Sequence, residues 1–267
     1  MSRVSQKQVA YRAKVRRWEF ELMTSTIMEV MPKKNIGKLR VLEFGCGPGT
    51  GAEYLCQFGN VTLTDIRRNS SLVLPLGVEF KIEDIHQTDF SDNEFDIIVS
   101  SHVLPYLDMP RACQEMKRIG KENAYYAFSV PTTTWLLLSI PAMVFKKFEN
   151  VYNRIRGGPT RSNKTADSSF GCRTVSTRNS RLLEKGWLHR FVLGALCYPC
   201  FLDAFKGLRV KNWRNILLSN GFTIVKEIPL LTYGDSDVPI ITPIRFPARL
   251  GVASSYLFVC RKMYDSK

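Results

Sequence analysis

Apolar residues recur along this chain with two periods, and the way they alternate predicts the fold. Residues 8–31 set Val15, Trp18, Leu22 and a run to Met31 at helical spacing with Lys and Arg between them. That pattern predicts an amphipathic helix, which Pro32 ends. Short β-type runs follow at Leu39–Phe44, Val61–Thr64, about Val78–Ile82, Phe95–Val99 and Ala124–Val130. The fourth run, Phe95-Asp96-Ile97-Ile98-Val99, is nearly continuous in apolar character, as a parallel strand covered on both faces must be. Helix-compatible segments at Ala52–Phe58, Val103–Leu107 and Arg111–Ile119 separate the runs. Alternation at this pitch predicts an α/β fold built on a doubly wound, mostly parallel sheet.

The rhythm breaks at Pro131. No β-type run appears again until Phe222–Ile228, and Ser254–Cys260 closes the chain as a last strand, with an antiparallel pair expected there. A connection of some ninety residues is far longer than a simple crossover, which marks residues 131–221 as a functional insertion between strands 5 and 6 of a seven-stranded sheet. It opens with an apolar run, Trp135 to Phe145, too short to span a bilayer but suited to an interface or the roof of a pocket. A polar, Ser/Thr/Arg-rich loop is expected over Gly157–Arg181, a second apolar and aromatic piece over Trp187–Phe205, and a helix over Val210–Ser219. The expected organisation is a basic helical arm (1–38), a core (39–130 with 222–267) and a cap that binds substrate (131–221).

One stretch carries the clearest chemistry. Val41-Leu42-Glu43-Phe44-Gly45-Cys46-Gly47-Pro48-Gly49-Thr50-Gly51 runs from a strand into a loop with four glycines in seven positions, and a helix-compatible segment follows. Such a loop lets a ligand approach the backbone closely, and a helix N-terminus behind it offers N–H donors to an anionic group. The spacing is Gly-x-Gly-x-Gly, with Thr50 where the dinucleotide fingerprint places its third glycine. Alone, the loop indicates a nucleotide-like cofactor.

Charge divides the 267-residue chain. The total is +14, but residues 1–40 carry +7, residues 41–130 carry −6 and residues 131–221 carry +11. An acidic cofactor core with basic appendages is expected to face an anionic partner: a phosphorylated substrate, a membrane surface or nucleic acid. The first twenty residues are basic and lack an apolar secretory core, and seven scattered cysteines fit reduced thiols. A cytoplasmic location follows as the expectation, with peripheral attachment to the inner face of a membrane as a variant.

Taken together, the glycine loop, Asp65 twenty residues beyond Gly45, Glu83-Asp84-Ile85, and Phe95–Val99 followed by His102-Val103-Leu104-x-x-Leu107 resemble the class I S-adenosylmethionine-dependent methyltransferases. The nearest look is to the broad group of quinone-biosynthesis and related small-molecule enzymes. The resemblance covers residues 39–130 well, the last two strands loosely and the insertion hardly at all. It implies a Rossmann-like sheet and S-adenosylmethionine as cofactor. Gly45, Cys46, Gly47 and Gly49 would meet the methionine part, with Glu43 supporting the loop from behind. Asp65 and the adjacent Ile66 would take the ribose side, Asp84 and the Ile85 N–H the adenine, and Ser100 the methionine end or the substrate.

Methyl transfer to a hydroxyl needs a proton acceptor as well as alignment. After the fourth strand the candidates are His102 and Tyr106, while His86 reads as a surface-loop residue and His189 lies in the insertion between Trp187 and Phe191, with a substrate contact as the lesser of its readings. Ser-Ser-His-Val after that strand departs from the Asp/Asn-Pro-Pro-Tyr pattern of nucleic-acid amino methylation. Pro199-Cys200 lies in the insertion rather than where a cytosine-C5 nucleophile stands, and Ser100 and Ser101 supply no carboxylate for a catechol-type metal. Cys197-Tyr-Pro-Cys200, a lone Cys-x-x-Cys, reads better as a buried pair than as a metal site. The expected function is methyl transfer, to oxygen, on a small-molecule, lipid-linked or phosphorylated acceptor. An RNA-binding methyltransferase and a non-catalytic cofactor-binding protein are the alternatives.

Overall fold

A computed structural model describes residues 3–32, 36–140, 201–234 and 243–263. Helix α1 (Arg3–Val30) leads into strand β1 (Leu39–Phe44), the glycine loop and a single turn of helix, α2 (Ala52–Leu55). Strands β2 (Gly59–Asp65), β3 (Glu79–Ile82) and β4 (Phe95–Ser101) follow, then α3 (Met109–Ile119) and β5 (Gly120–Pro131). Residues 133–140 are helical. Helices α4 (Phe201–Gly207) and α5 (Val210–Ser219) precede β6 (Phe222–Pro229), and a short α6 (Phe246–Arg249) precedes β7 (Ser255–Lys262). The seven strands form one sheet in the order β3-β2-β1-β4-β5-β7-β6, with β7 antiparallel to both its neighbours and the other pairings parallel.

Alternation along the strands separates two cores. Leu42, Phe44, Ile98, Tyr126, Phe128 and Phe258 face one side, where α3 brings Cys113, Met116 and Ile119 and α5 brings Trp213 and Leu217. Val41, Ile97, Val99, Ala127, Leu257 and Val259 face the other, where α1 covers them with Val15, Phe20, Met23 and Ile27. Burial on both faces accounts for the continuous apolar run of β4. The expected sheet, its order of elements and the helix over Val210–Ser219 are all present.

Two crossovers differ from the expected alternation. The segments 66–78 and 83–94 contain no helix. Arg67-Arg68-Asn69-Ser70-Ser71 and the turn residues Pro75 and Gly77 offer no apolar stripe for one. They serve β3, an edge strand with mostly exposed side chains that needs less cover. The expected helix at Val103–Leu107 is a 3-10 turn, Leu104–Tyr106, and β5 begins at Gly120 rather than Ala124. The readings made for Gly157–Arg181, for residues 141–145 and 187–200, for His189 and for Cys197–Cys200 lie outside the described residues. Among those described, no helix is long and apolar enough to cross a membrane.

The start of the β1–β2 pair tolerates no side chain. Gly59 has φ +144°, and a Cβ there would lie 2.3 Å from the Leu39 carbonyl oxygen and 2.5 Å from its nitrogen, both backbone atoms. Gly77 is also left-handed (φ +81°) but opens on free space. Gly77→Ala is therefore expected to cost about 1–2 kcal/mol, the left-handed penalty alone. Gly59→Ala adds overpacking against backbone and is expected to cost more than about 3 kcal/mol. Urea unfolding of the two variants measures the difference; equal costs would contradict this account.

Candidate cofactor and acceptor site

The site is built at the carboxyl edge of the parallel strands, where the order reverses between β1 and β4. Open α/β sheets bind their ligands at such a switch point. The glycine loop leaves β1 there. The Cys46 N–H donates to the Thr64 carbonyl (3.0 Å) and the Gly49 N–H to the Cys46 carbonyl (2.9 Å), so the loop is braced from within. Gly45 has φ +68° and presses on Val103, whose Cγ2 would lie 2.3 Å from an added Cβ. Gly47 has φ +53° and nothing within 4 Å of that position, which makes it the point of free approach. The expected helix N-terminus contributes little, because α2 is one turn and the Ala52, Tyr54 and Leu55 N–H groups already bond to Gly49 and Gly51 carbonyls.

Asp65 ends β2 beside the loop. Its Oδ2 accepts from the Gly47 N–H at 3.0 Å, which fixes the carboxylate and leaves its other oxygen for a ligand. Ile66, next in the chain, is exposed. Farther along the same edge, the Asp84 carboxylate accepts at Oδ1 from the His86 N–H (3.0 Å) and faces His86 Nδ1 at 2.6 Å. His86 Nε2 accepts from the Asp108 N–H (3.0 Å), so its proton sits on Nδ1 and points at Asp84. Burial raises the Asp84 carboxyl, but these donors and His86 prevail and hold it below the usual range. His86 is thus half-buried and organises this loop instead of standing free on the surface. Ile85 is buried beside it.

Glu43 lies on the α1 side of β1 and is 2% exposed. Its Oε2 has no hydrogen-bond partner and would touch a Cβ on Gly51 at 2.6 Å. Burial, then the negative charge of Asp65, outweigh the pull of Arg16 and push its carboxyl up to about 8. At neutral pH Glu43 therefore keeps its proton. The same burial, with Glu43 and Asp65 nearby, pushes the Cys46 thiol up to about 12, which leaves it no nucleophilic character. Ser100 faces the opposite core, with Ile98 and Phe128; its hydroxyl is fully buried and without a hydrogen-bond partner.

On the other side of the switch point, β4 ends at Ser101 and His102 follows. His102 has φ +61°, a strained conformation for a side chain of this size, and its N–H donates to the Ser129 carbonyl at 2.8 Å. Its ring Nε2 lies 3.0 Å from Glu19 Oε1 and 3.2 Å from the Tyr233 hydroxyl. Tyr106, on the following turn, is half-buried and close enough to Arg16 for their charges to interact.

Sequence reasoning missed Arg16, Glu19 and Tyr233. One signal was present: Glu19 falls between Val15 and Met23 on the buried stripe of α1, where an unpartnered carboxylate does not belong. Arg16, counted with the basic arm, points inward to Glu19 and Ser101 rather than to solvent partners.

A family model described as a methyltransferase domain matches residues 42–128. The "Fatty-acid O-methyltransferase" of Mycolicibacterium smegmatis is 30% identical over 124 residues, 42% of this chain and 43% of that one. The "Probable phthiotriol/phenolphthiotriol dimycocerosates methyltransferase 2" of Mycobacterium ulcerans is 31% identical over 102 residues, 34% of this chain and 38% of that one. The chain thus spans less than half the length of either relative. Among solved structures, a S-adenosylmethionine-dependent methyltransferase of Thermotoga maritima, described as a possible histamine N-methyltransferase, shares the fold. Its TM-score is 0.51, with 13% identity over 93% of this chain and 91% of that one. The sheet order and the glycine loop with Asp65 at its side agree with the matched region, and residues 42–128 carry a methyltransferase domain of the S-adenosylmethionine-dependent type.

Proposed function

We propose that this chain transfers a methyl group to the hydroxyl oxygen of an apolar, lipid-like small molecule. The observation that carries this reading is His102: a strained residue at the carboxyl end of β4, beside the glycine loop, with a ring neutral at physiological pH. Burial and the positive charge of Arg16 lower its basicity more than Glu19 restores it. A neutral imidazole is the form that accepts a proton from a hydroxyl. The fatty-acid and lipid names of the two relatives and the apolar run that begins at Trp135 support an apolar acceptor.

The residues present fit the cofactor. Gly47 offers an open approach, Asp65 a fixed carboxylate with one oxygen to spare, and Glu43 a buried, unpartnered oxygen next to the loop. Bound there, S-adenosylmethionine supplies an electrophilic methyl group. Asp65 and Ile66 would take the ribose side, Asp84 and Ile85 the adenine, and Glu43 the amino-acid ammonium by way of Oε2. The protein's own part is to align the two reactants, to cover the strand ends with α1, and to accept one proton at His102.

The test is label transfer from methyl-labelled S-adenosylmethionine to long-chain alcohols, fatty acids and RNA. The expected product is an alkali-stable ether from an alcohol; label only in RNA, or in no acceptor, would overturn the reading. For the cofactor side, Asp65→Ala is expected to weaken adenosylhomocysteine binding by about 1–3 kcal/mol, the value of a hydrogen bond to a charged group. Calorimetry measures it, and unchanged affinity would remove Asp65 from the site. Glu43 gives a signed pH effect. Its carboxyl is raised to about 8, so it is protonated at pH 7, and an arriving ammonium favours the ionised form. Binding is therefore expected to release protons just below pH 8, and the release should fade above it as Glu43 ionises unaided. Calorimetry at pH 7 in buffers of different ionisation enthalpy reads this release, and Glu43→Gln should abolish it.

A further inference from the structure

Three chain segments far apart in sequence converge on one carboxylate. Glu19 of α1 is fully buried. Its Oε2 accepts from Arg16 Nη1 at 2.7 Å, and its Oε1 accepts from the Tyr233 hydroxyl at 3.0 Å. His102 Nε2 approaches the same Oε1 at 3.0 Å. Arg16 Nη1 also donates to Ser101 Oγ at 2.9 Å, and Ser101 Oγ lies 3.1 Å from Ser129 Oγ. The other groups near this cluster are Tyr106, which interacts with Arg16, Glu43, which is neutral, and Ser255 on β7.

The proton positions follow from the geometry. Arg16 is permanently charged and sits on Glu19, so the carboxylate is ionised. Burial disfavours that charge, but the positive charge of Arg16 and the hydrogen bonds from His102 and Ser255 hold the Glu19 carboxyl below its usual range. An ionised oxygen accepts hydrogen bonds and repels lone pairs. A Nε2 lone pair at 3.0 Å from Oε1 would face negative charge, and the Tyr233 hydroxyl has already given its one proton to that oxygen. Nε2 must therefore carry hydrogen. A second proton on the ring would leave the buried Arg16–Glu19 pair with a net positive neighbour, which burial opposes. Nδ1 is left with its lone pair, and it makes no hydrogen bond among the described residues.

We infer that Glu19, carried by the N-terminal helix and assisted by Tyr233, is a positioning residue that holds His102 with its proton on Nε2 and presents Nδ1 as the proton acceptor for the methyl acceptor's hydroxyl. This rests on the oxygen-directed reading above. In the step, the acceptor O–H bond breaks and its proton goes to Nδ1. The oxygen electron pair forms the new bond to the methyl carbon, and the methyl–sulfur pair stays with sulfur, giving adenosylhomocysteine. The imidazolium that results lies against the Glu19 carboxylate, which stabilises it as it forms. The left-handed backbone at His102 fits this role, because it turns the ring back beneath α1 toward Glu19.

The first test needs no acceptor. Nitrogen-15 NMR of the histidine-labelled full chain at pH 7, with His102 assigned through His102→Gln, is expected to show a neutral ring protonated on Nε2. A ring protonated on Nδ1, or an imidazolium at that pH, would overturn the inference. The second test is kinetic and uses an alcohol acceptor from the label-transfer panel. Glu19→Gln is expected to lower kcat by roughly 10²–10⁴-fold, the scale of a lost or mis-set general base, with KM and adenosylhomocysteine affinity changed much less. It should also mix the two ring tautomers in the NMR spectrum. Tyr233→Phe, which keeps the Glu19–His102 contact, is expected to retain the Nε2–H tautomer with a smaller loss in kcat. A loss confined to KM, or a Glu19→Gln protein that keeps both tautomer and kcat, would assign Glu19 to structure alone. The Nε2–H tautomer without methylation of any hydroxyl would sink the oxygen-directed reading while leaving the positioning of the ring intact.

Discussion

A carboxylate sealed from water has to be met on every side, and Glu19 imposes that demand on the whole carboxyl edge of the sheet. Burying one unpaired ion costs several kcal/mol, more than most single contacts contribute. Arg16 supplies the opposite charge from the same helix; Tyr233 and His102 supply the remaining donors from the other end of the chain and from the tip of β4. None of the four can move far without stranding another. Helix α1 is therefore fixed in rotation and in register across the strand ends, with Phe20 set against the glycine loop. Glu43, a few residues away in space, meets the same demand differently. Burial and the like charge of Asp65 outweigh the charge of Arg16, with which it makes no hydrogen bond, and it keeps its proton instead. Two buried carboxyls under one helix thus stand in opposite protonation states: Glu19 is ionised by its direct hydrogen bond to Arg16, and Glu43, without such a bond, is kept neutral by burial and the charge of Asp65.

The division of labour follows the reversal of strand order. On the β1–β2–β3 side, the loop, Asp65 and the His86-braced Asp84 form a row of acceptors along one edge. On the β4–β5 side, the polar ends of Ser101, Ser129 and His102 lie under Arg16 and Glu19. The two halves touch where Val103 packs beneath Gly45. Movement of the loop is therefore felt directly by the segment that bears His102.

Most of the fold was legible because its signals are local and redundant. The apolar run of β4, the glycine loop and the helix over Val210–Ser219 each carry a period or a spacing that does not depend on the rest of the chain. The two crossovers without helices were misread because strand spacing alone suggested an alternation that Arg67–Ser71 could not support. Asp65 and Asp84 stand at or just beyond strand ends, and the structure places both along the carboxyl edge that their positions predicted. Glu19 and Tyr233 are 214 residues apart and meet only through tertiary packing, so no spacing rule reaches them. The visible trace was an anomaly, a carboxylate on an apolar helix face, and its meaning depended on knowing what the helix lies against. Arg16 was concealed by company: five other basic residues within the first twenty made it look like one more surface charge.

The placement of α1 also bears on what counts as the domain. The matched region runs from residue 42 to residue 128, yet it cannot close its own core. One face of its sheet, with Val41, Ile97 and Val99, is roofed by Val15, Phe20, Met23 and Ile27 from upstream. The open edge of β5 is sealed by β7 from downstream, through a ladder from Tyr125–Arg261 to Pro131–Ser255. A polypeptide trimmed to the homologous region would expose that face and that edge together. The heritable unit of sequence and the physical unit of folding have different borders here, and Arg16, Glu19 and Tyr233, which surround His102, belong only to the larger one.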